Sequence, residues 1–346
     1  MITDARFGTI GMKAPYRWLS YQYVVEHKTK PQSRGWKCLC PLCGGDDCWY
    51  TPDNHFAFCF NCGSSFRVES PSTTCYTSTA SPMVDVQQLR SYYTELQDVY
   101  CQDIPPEVQA YLQQRSIDTT MVATYRIGYC PYRHLPVYNH PLAVASGILD
   151  HHRRPFLRNR IVFPYIAFGS VTDMRGRSVD PAAPQRYLSL PGRANERGAQ
   201  FAYNYDRAAA SLDYAARYNP DNDVLLVTEG EIKALFADAH GFAAVALPGM
   251  QSMRAIPPAR RIVLVFDTDS RPEVQYATDT AIDRFVHHMR SMASSPSIAV
   301  VVLPLLDRPK MDIDTFLLHP KGGYTIFRRL VEDAIPYERY KQLRRF

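Results

Sequence analysis

The sequence predicts a multidomain chain of the α/β and α+β classes, and three observations carry that prediction. Two Cys-x2-Cys pairs, Cys40/Cys43 and Cys59/Cys62, stand fifteen residues apart near the N-terminus. A Ser/Thr-rich stretch with two prolines separates them from the rest of the chain. From residue 223 onward, short continuous apolar runs alternate with helix-length segments. The chain has 346 residues, 46% of them hydrophobic, which is enough for two or three units that each bury a core.

The first element, residues 1–69, is read as a small antiparallel β domain built on metal. Each Cys-x2-Cys turn places two thiolates on one ion, and two turns complete the tetrahedron that Zn²⁺ prefers. Trp49–Tyr50 and Phe56–Phe60 are expected to pair as a hairpin, giving a zinc ribbon closed by four thiolates and therefore structural. Cys38 and Cys48 lie close by and are read as spares, because neither has a partner at the required spacing. Trp36, Trp49, Tyr50, Phe56 and Phe58 interleave with Arg34, Lys37 and Arg67, a pattern that suits stacking on unpaired bases. Such rings equally fill the core of a small ribbon.

Residues 70–85 read as a flexible linker, since no apolar period runs through them. Residues 86–222 form the next unit. Val86–Tyr100 and Pro106–Tyr125 carry helical spacing, and Arg160–Phe168 reads as a strand. The block 126–217 holds thirteen Arg and no Lys against six acidic residues, a basic surface suited to bidentate phosphate contacts. Residues 218–320 reverse the sign, with thirteen acidic residues against nine basic ones. A polyanion site beside a metal site would show this contrast.

The unit 223–318 gives the clearest pattern. Strands at Asp223–Thr228, Ala243–Leu247, Ile262–Phe266 and Ile298–Leu303 alternate with helices at Glu231–His240 and about 272–294, with Gly241 as a C-cap. Apolar strands of this kind form a parallel sheet covered on both faces, and ligands bind beyond its strand C-termini. Carboxylates fall at those ends: Glu229 after the first strand, Asp267 and Asp269 after the third, Asp312 and Asp314 after the fourth. Carboxylates gathered at one edge repel unless cations sit among them, and hard oxygen ligands select Mg²⁺ or Mn²⁺. Asp312 and Asp314 also suit helix N-caps. Residues 319–346 are left as a short basic C-terminal tail ending KQLRRF.

These motifs resemble a known set. VTEGEIK (227–233) with FDTD (266–269) resembles the TOPRIM signature, which occurs in primases, topoisomerases and some nucleases. The Cys block resembles the zinc ribbon of DnaG-type primases. VQAYLQQRSIDTTMVATYRIGYCP (108–131), FLRNRIVFP (156–164), MRGRS (174–178), QRYLSLP (185–191) and KMDIDTFLL (310–318) resemble that family's further motifs, in the family's order over residues 35–320. The resemblance implies a zinc ribbon, an RNA polymerase subdomain at 86–222 and a Rossmann-like TOPRIM domain at 223–318. It implies a primase that makes short RNA on a single-stranded DNA template from ribonucleoside triphosphates. Glu229, Asp267 and Asp269 would be catalytic and, with Asp312 and Asp314, would hold Mg²⁺ or Mn²⁺. Arg158, Arg160, Arg175, Arg177, Arg186 and Lys233 would contact template or nucleotide.

Two departures stand out. Four Cys replace the Cys/His ligand set common in bacterial relatives, which is closer to phage and plasmid members. Lys233 stands where the bacterial motif has Asp, so it either binds phosphate or pairs with Glu229 along the helix. No GxxxxGK[ST] phosphate loop occurs, so unwinding is expected from a separate replicative helicase. No run of 18 apolar residues and no signal-like N-terminus occurs, so the expected location is the cytoplasm of a bacterial host, from a phage or mobile-element gene, with no membrane partner. Two other readings remain: a TOPRIM nuclease, and a non-enzymatic single-strand-binding module.

Overall fold

A computed structural model describes residues 11–13, 16–19, 21–32, 35–51, 56–59, 64–68, 85–150, 152–183, 185–191, 201–218, 223–249, 253–290 and 296–344. It divides into two compact units, Met1–Met83 and Val84–Phe346. The stretch expected to be a linker lies outside the described residues except for Asp85, which N-caps the next helix by accepting from Gln87 N at 2.9 Å.

The first unit is a seven-stranded sheet. Its strands are β1 (Gly11–Lys13), β2 (Tyr16–Leu19), β3 (Lys28–Gln32), β4 (Gly35–Cys38), β5 (Cys48–Thr51), β6 (Phe56–Cys59) and β7 (Ser65–Val68), with α1 (Tyr21–Glu26) between β2 and β3. The order is β1-β2-β7-β6-β5-β4-β3, antiparallel except where β2 runs parallel to β7. The expected hairpin is β5–β6, with Trp49 opposite Phe58. The core is Leu19, Tyr23, Val24, Tyr50, Ala57, Phe66, Val68 and buried cysteines.

The second unit begins with α2 (Val86–Gln102), α3 (Pro106–Gln114) and α4 (Thr119–Thr124). The sequence reading joins the last two into one helix. The chain breaks it because Ser116 takes φ +57° and Asp118 starts a new helix, accepting from Met121 N at 2.7 Å. An antiparallel sheet comes next in the order β11-β10-β9-β8, from β8 (Gly128–Cys130), β9 (Arg160–Ala167), β10 (Ser170–Ser178) and β11 (Tyr187–Ser189). Helix α2 covers one face of it through Leu89, Tyr92, Tyr93 and Leu96 against Val162, Val171 and Met174.

After α5 (Tyr205–Tyr218) come β12 (Val224–Glu229), α6 (Glu231–Ala239), β13 (Ala244–Leu247), β14 (Arg261–Leu264), β15 (Thr268–Asp269), α7 (Pro272–Arg290), β16 (Ser297–Val300), β17 (Lys310–Met311), α8 (Ile313–Leu318), α9 (Tyr324–Glu332), β18 (Ile335–Pro336) and α10 (Tyr337–Leu343). The main sheet has the order β13-β12-β14-β16-β18, parallel except for β18. Side chains alternate across it. Leu226, Ala244, Ala246 and Val263 face one core with α6, α8 and α9, shared with α3 and β9. Leu225, Val227, Val245 and Ile262 face the other with α5, α7 and α10. Burial on both faces is why these strands read as unbroken apolar runs.

The reading of 319–346 as a basic tail gives way here. Phe327 and Val331 of α9 and Tyr337 and Tyr340 of α10 are buried, and β18 adds an antiparallel edge to the main sheet.

Candidate functional site

In the first unit, the turn after β4 folds on itself. Gly44 N donates to Cys40 O at 2.9 Å and Cys40 N to Gly45 O at 2.8 Å, with Gly44 at φ +69°. This brings Cys40 and Cys43 beside Cys59 at the end of β6. Their sulfurs all lie within 4.8 Å of one another, with Cys43 and Cys59 Sγ 3.7 Å apart. Three converging soft donors fit a structural Zn²⁺. The fourth expected ligand, Cys62, lies outside the described residues, as does Arg34. Cys38 and Cys48 face each other across β4–β5, fully buried, and the hydrogen bond between their thiols lowers Cys38 and raises Cys48. Of the aromatic set, Tyr50 is core, while Trp36, Trp49, Phe56 and Phe58 are half-buried.

In the second unit, a cavity of about 380 Å³ opens where β12 and β14 end. Glu229 closes β12. Gly230 then turns the chain at φ +91°, a conformation an L side chain rarely adopts, and delivers it into α6. Asp267 follows β14, and Asp312 and Asp314 enter from the start of α8. All four carboxylates line the cavity. Asp312 N-caps α8, accepting from Thr315 N at 3.0 Å. Asp314 is buried, with Oδ2 bound by Arg115 at 2.5 Å and its carboxyl hydrogen-bonded to that of Asp312.

The acids repel, and Glu229, Asp312 and Asp314 do not shift alike. Burial lifts the Glu229 carboxyl above the ordinary range; Asp267 adds to the shift, while Lys233, Lys310 and Arg175 oppose it. Burial and the Asp312 charge push Asp314 up to about 6. Burial also acts on Asp312, but the Thr315 hydroxyl, Lys233 and the Thr315 amide together outweigh it and hold that carboxyl low.

Cations already stand among these acids. Lys233 pairs with Asp267 Oδ1, and Lys310 with Asp267 Oδ2 at 2.8 Å. Burial works against the Lys233 charge, yet Asp267, Asp312 and Glu229 together hold its pKa above the usual range. So Lys233 pairs with Asp267 and not with Glu229. Asp269, expected beside Asp267, does not line the cavity. Arg271 donates to it through its backbone N–H at 3.0 Å and its guanidinium at 2.8 and 2.7 Å, holding the carboxyl well below its usual range.

Arg175, Arg177 and Arg186 also line the cavity, whereas Arg158 and Arg160 do not. Arg175 bridges to the fully buried Glu231 at 3.1 Å, which also accepts from Tyr165 Oη at 2.6 Å. Arg177 donates to Tyr111 Oη at 2.8 and 3.0 Å and to Tyr187 Oη. Both guanidiniums stack over Tyr187, 4.6 and 5.0 Å from its ring centre. Arg158 turns back to Pro155 O, and Arg160 lies across Gly176 and donates to Arg186 O, each at 3.3 Å. Sequence reasoning missed Arg115, Lys310, Glu231, Tyr111 and Tyr187. Lys310 and Glu231 each stand two residues from a strand-end acid, a signal the sequence does hold. Arg115, Tyr111 and Tyr187 lie far along the chain from every such acid and give no local signal.

No family model matches this chain, and no curated protein does. Solved structures do. A DnaG catalytic core matches with a TM-score of 0.54 at 22% identity, covering 74% of this chain and 82% of that one. The fold is that of a DnaG catalytic core. A DnaG primase catalytic domain bound to single-stranded DNA matches at 0.54 and 21%, covering 73% and 83%. The zinc-binding and RNA polymerase domains of the Aquifex aeolicus primase match at 0.51 and 15%, covering 90% and 82%. On this DnaG fold, the cysteine trio and the carboxylate cavity fall in separate units. Among the described residues no helix is long and apolar enough to cross a membrane.

Proposed function

We propose that the chain is a DNA primase, synthesising short RNA on single-stranded DNA by metal-dependent nucleotidyl transfer. One observation carries this reading: four carboxylates and six cationic side chains line a single cavity at the strand C-termini of a DnaG-type fold. Acids suit a divalent ion and guanidiniums suit phosphates, and template-directed polymerisation needs both. The related domain bound to single-stranded DNA supports the choice of template.

Glu229, Asp267, Asp312 and Asp314 would hold Mg²⁺ or Mn²⁺. The hard oxygen donors of these carboxylates suit such an ion, although among the described residues no three carboxylates converge as closely as the cysteines do. Asp269 joins this set when the exposed arm of Arg271 turns away. When bound, the ion stabilises negative charge on the attacking and leaving oxygens. Glu229, made more basic by burial, accepts the proton of the attacking 3′-hydroxyl. Arg175, Arg177 and Arg186 orient the triphosphate, with Glu231, Tyr111 and Tyr187 fixing the first two arms. Arg158 and Arg160 extend the basic surface toward template. Cys62 completes the zinc site, and a separate helicase supplies unwinding.

Incubation of the chain with single-stranded DNA, labelled ribonucleotides and Mg²⁺ or Mn²⁺ tests the reading. Short RNA products are expected. DNA fragments would mean a nuclease, and a mobility shift without products would mean a binding module.

A further inference from the structure

The hairpin that joins β9 to β10 is a two-residue turn, Phe168-Gly169, with φ +53° and +74°. Turns with positive φ at both positions favour Asn-Gly or Gly-Gly. A bulky side chain is disfavoured there and persists only where the surroundings hold it. Asp206 of α5 supplies that hold: its carboxylate accepts from Phe168 N at 2.7 Å and from Gly169 N at 2.8 Å. Burial of the ring does not offset the strain, since Phe168 is 68% exposed. Two half-buried rings stand beside it. The ring centres of Phe201 and Tyr205 lie 5.3 and 5.8 Å from that of Phe168 and 5.1 Å from each other. Both sit on fixed backbone. Phe201 bridges to Ala255, and Asn204, at φ +66°, donates from Nδ2 to Ala244 O at 2.9 Å. Arg90 of α2 completes the cluster, its guanidinium 5.9 Å from the centre of the Phe201 ring. Among the described residues that guanidinium has no hydrogen bond or ion pair, and its Nε is buried.

We propose that this cluster is a stacking platform for single-stranded DNA, with an unpaired base on Phe168 and a neighbouring phosphate on Arg90. It is separate from the carboxylate cavity. None of its residues lines that cavity, and Phe168 stands roughly 20 Å from Arg175 measured along β10. An exposed ring offers a face to every base, and a guanidinium suits any phosphate, so the contact reads a strand and not a sequence. Arg90 decides between a nucleotide and an apolar protein partner, because the latter would cover that charge with nothing to pair it. The inference rests on the reading of this chain as one that works on single-stranded DNA. It adds a second place, outside the cavity, where that strand is held.

The test titrates labelled oligodeoxythymidine with the zinc-loaded full chain and follows fluorescence anisotropy. Phe168→Gly removes the ring and relieves the turn, since glycine takes positive φ freely. It should weaken binding by about tenfold, the scale of one base on one ring. Its Tm should equal or exceed that of wild type. Phe168→Tyr keeps a ring and should bind as wild type does. Arg90→Gln should lower the log–log salt slope by about 0.7, one phosphate contact. Photo-crosslinks from wild type to strands carrying iododeoxyuridine should map to Phe168, Phe201 or Tyr205. Equal binding by wild type and Phe168→Gly would overturn the inference and leave the primase reading intact. A Phe168→Gly chain whose Tm falls along with its binding would overturn it too, the ring then being packing and not contact. So would self-association of wild type that Phe168→Gly abolishes while strand binding stays unchanged. No binding of the strand by wild type would overturn both the inference and the primase reading.

Discussion

Replacing Glu231 with Ala should destabilise the second unit while leaving the first untouched. Glu231 is fully buried at the start of α6, where the helix dipole favours its charge. It holds Arg175 of β10 and Tyr165 of β9, so one carboxylate ties the antiparallel sheet to the parallel one. Burial alone would disfavour the Arg175 charge, and Glu231 is the main group that offsets this. Breaking a buried ion pair by removing one partner costs about 3–5 kcal/mol. The lost hydrogen bond from Tyr165 to a charged acceptor, about 1.5–3 kcal/mol alone, overlaps with that figure. A net loss of about 4 kcal/mol is the working value, which at roughly 2 °C per kcal/mol for a unit of this size lowers Tm by about 8 °C. Glu231→Gln keeps an acceptor and should lose about half as much. All three tryptophans, Trp18, Trp36 and Trp49, lie in the first unit, so their fluorescence is an internal control. Urea unfolding followed by far-UV circular dichroism reads the second unit. A Glu231→Ala chain within about 1 kcal/mol of wild type would refute the bridging role.

Three further outcomes are expected. Cys59→Ser should lose the bound zinc, measured as metal per chain, and should shift the tryptophan-monitored transition while the circular dichroism transition stays in place. Arg186→Ala, which removes an exposed cationic arm from the cavity, should reduce the salt dependence of single-stranded DNA binding by about 0.7 in the log–log slope, the amount set by one phosphate contact. Asp314 keeps its proton up to about pH 6 in the folded chain, above its unfolded range, so the folded state binds more protons between about 4 and about 6. Stability measured without added divalent ions should therefore fall as pH rises through that window and level off above it, and Asp314→Asn should flatten this fall.

Much of the fold was legible because its signals are local. The strands β12, β13, β14 and β16 are buried on both faces and so read as apolar runs, and strand-end carboxylates follow directly from where those runs stop. The paired Cys-x2-Cys spacing likewise gave the cysteine trio. The premise that crowded carboxylates need cations also held, but the cations in place are Lys233, Lys310 and Arg115. Sequence spacing could not supply that answer, since Arg115 and Asp314 are 199 residues apart. Asp269 lies outside the cavity lining for a local reason: Arg271, two residues on, closes back on it before α7 begins. The same local attention would have split α3 from α4 at Asp118. For residues 319–346, weighing charge over period hid the apolar stripe of Phe327 and Val331 in α9.

The most direct test of the account is primer synthesis by wild type and Asp267→Asn, run side by side on single-stranded DNA with ribonucleotides and Mg²⁺ or Mn²⁺. The substitution keeps the shape of the side chain and removes one charge from the cavity. Wild type should make short, template-dependent RNA. Asp267→Asn should lose roughly a hundredfold or more in turnover, the scale of losing one electrostatic stabiliser of the transition state. Its affinity for single-stranded DNA should stay within about twofold, because the arginines are untouched. Wild-type chain that binds the template yet makes no RNA with either ion, or an Asp267→Asn chain with undiminished synthesis, would contradict the account.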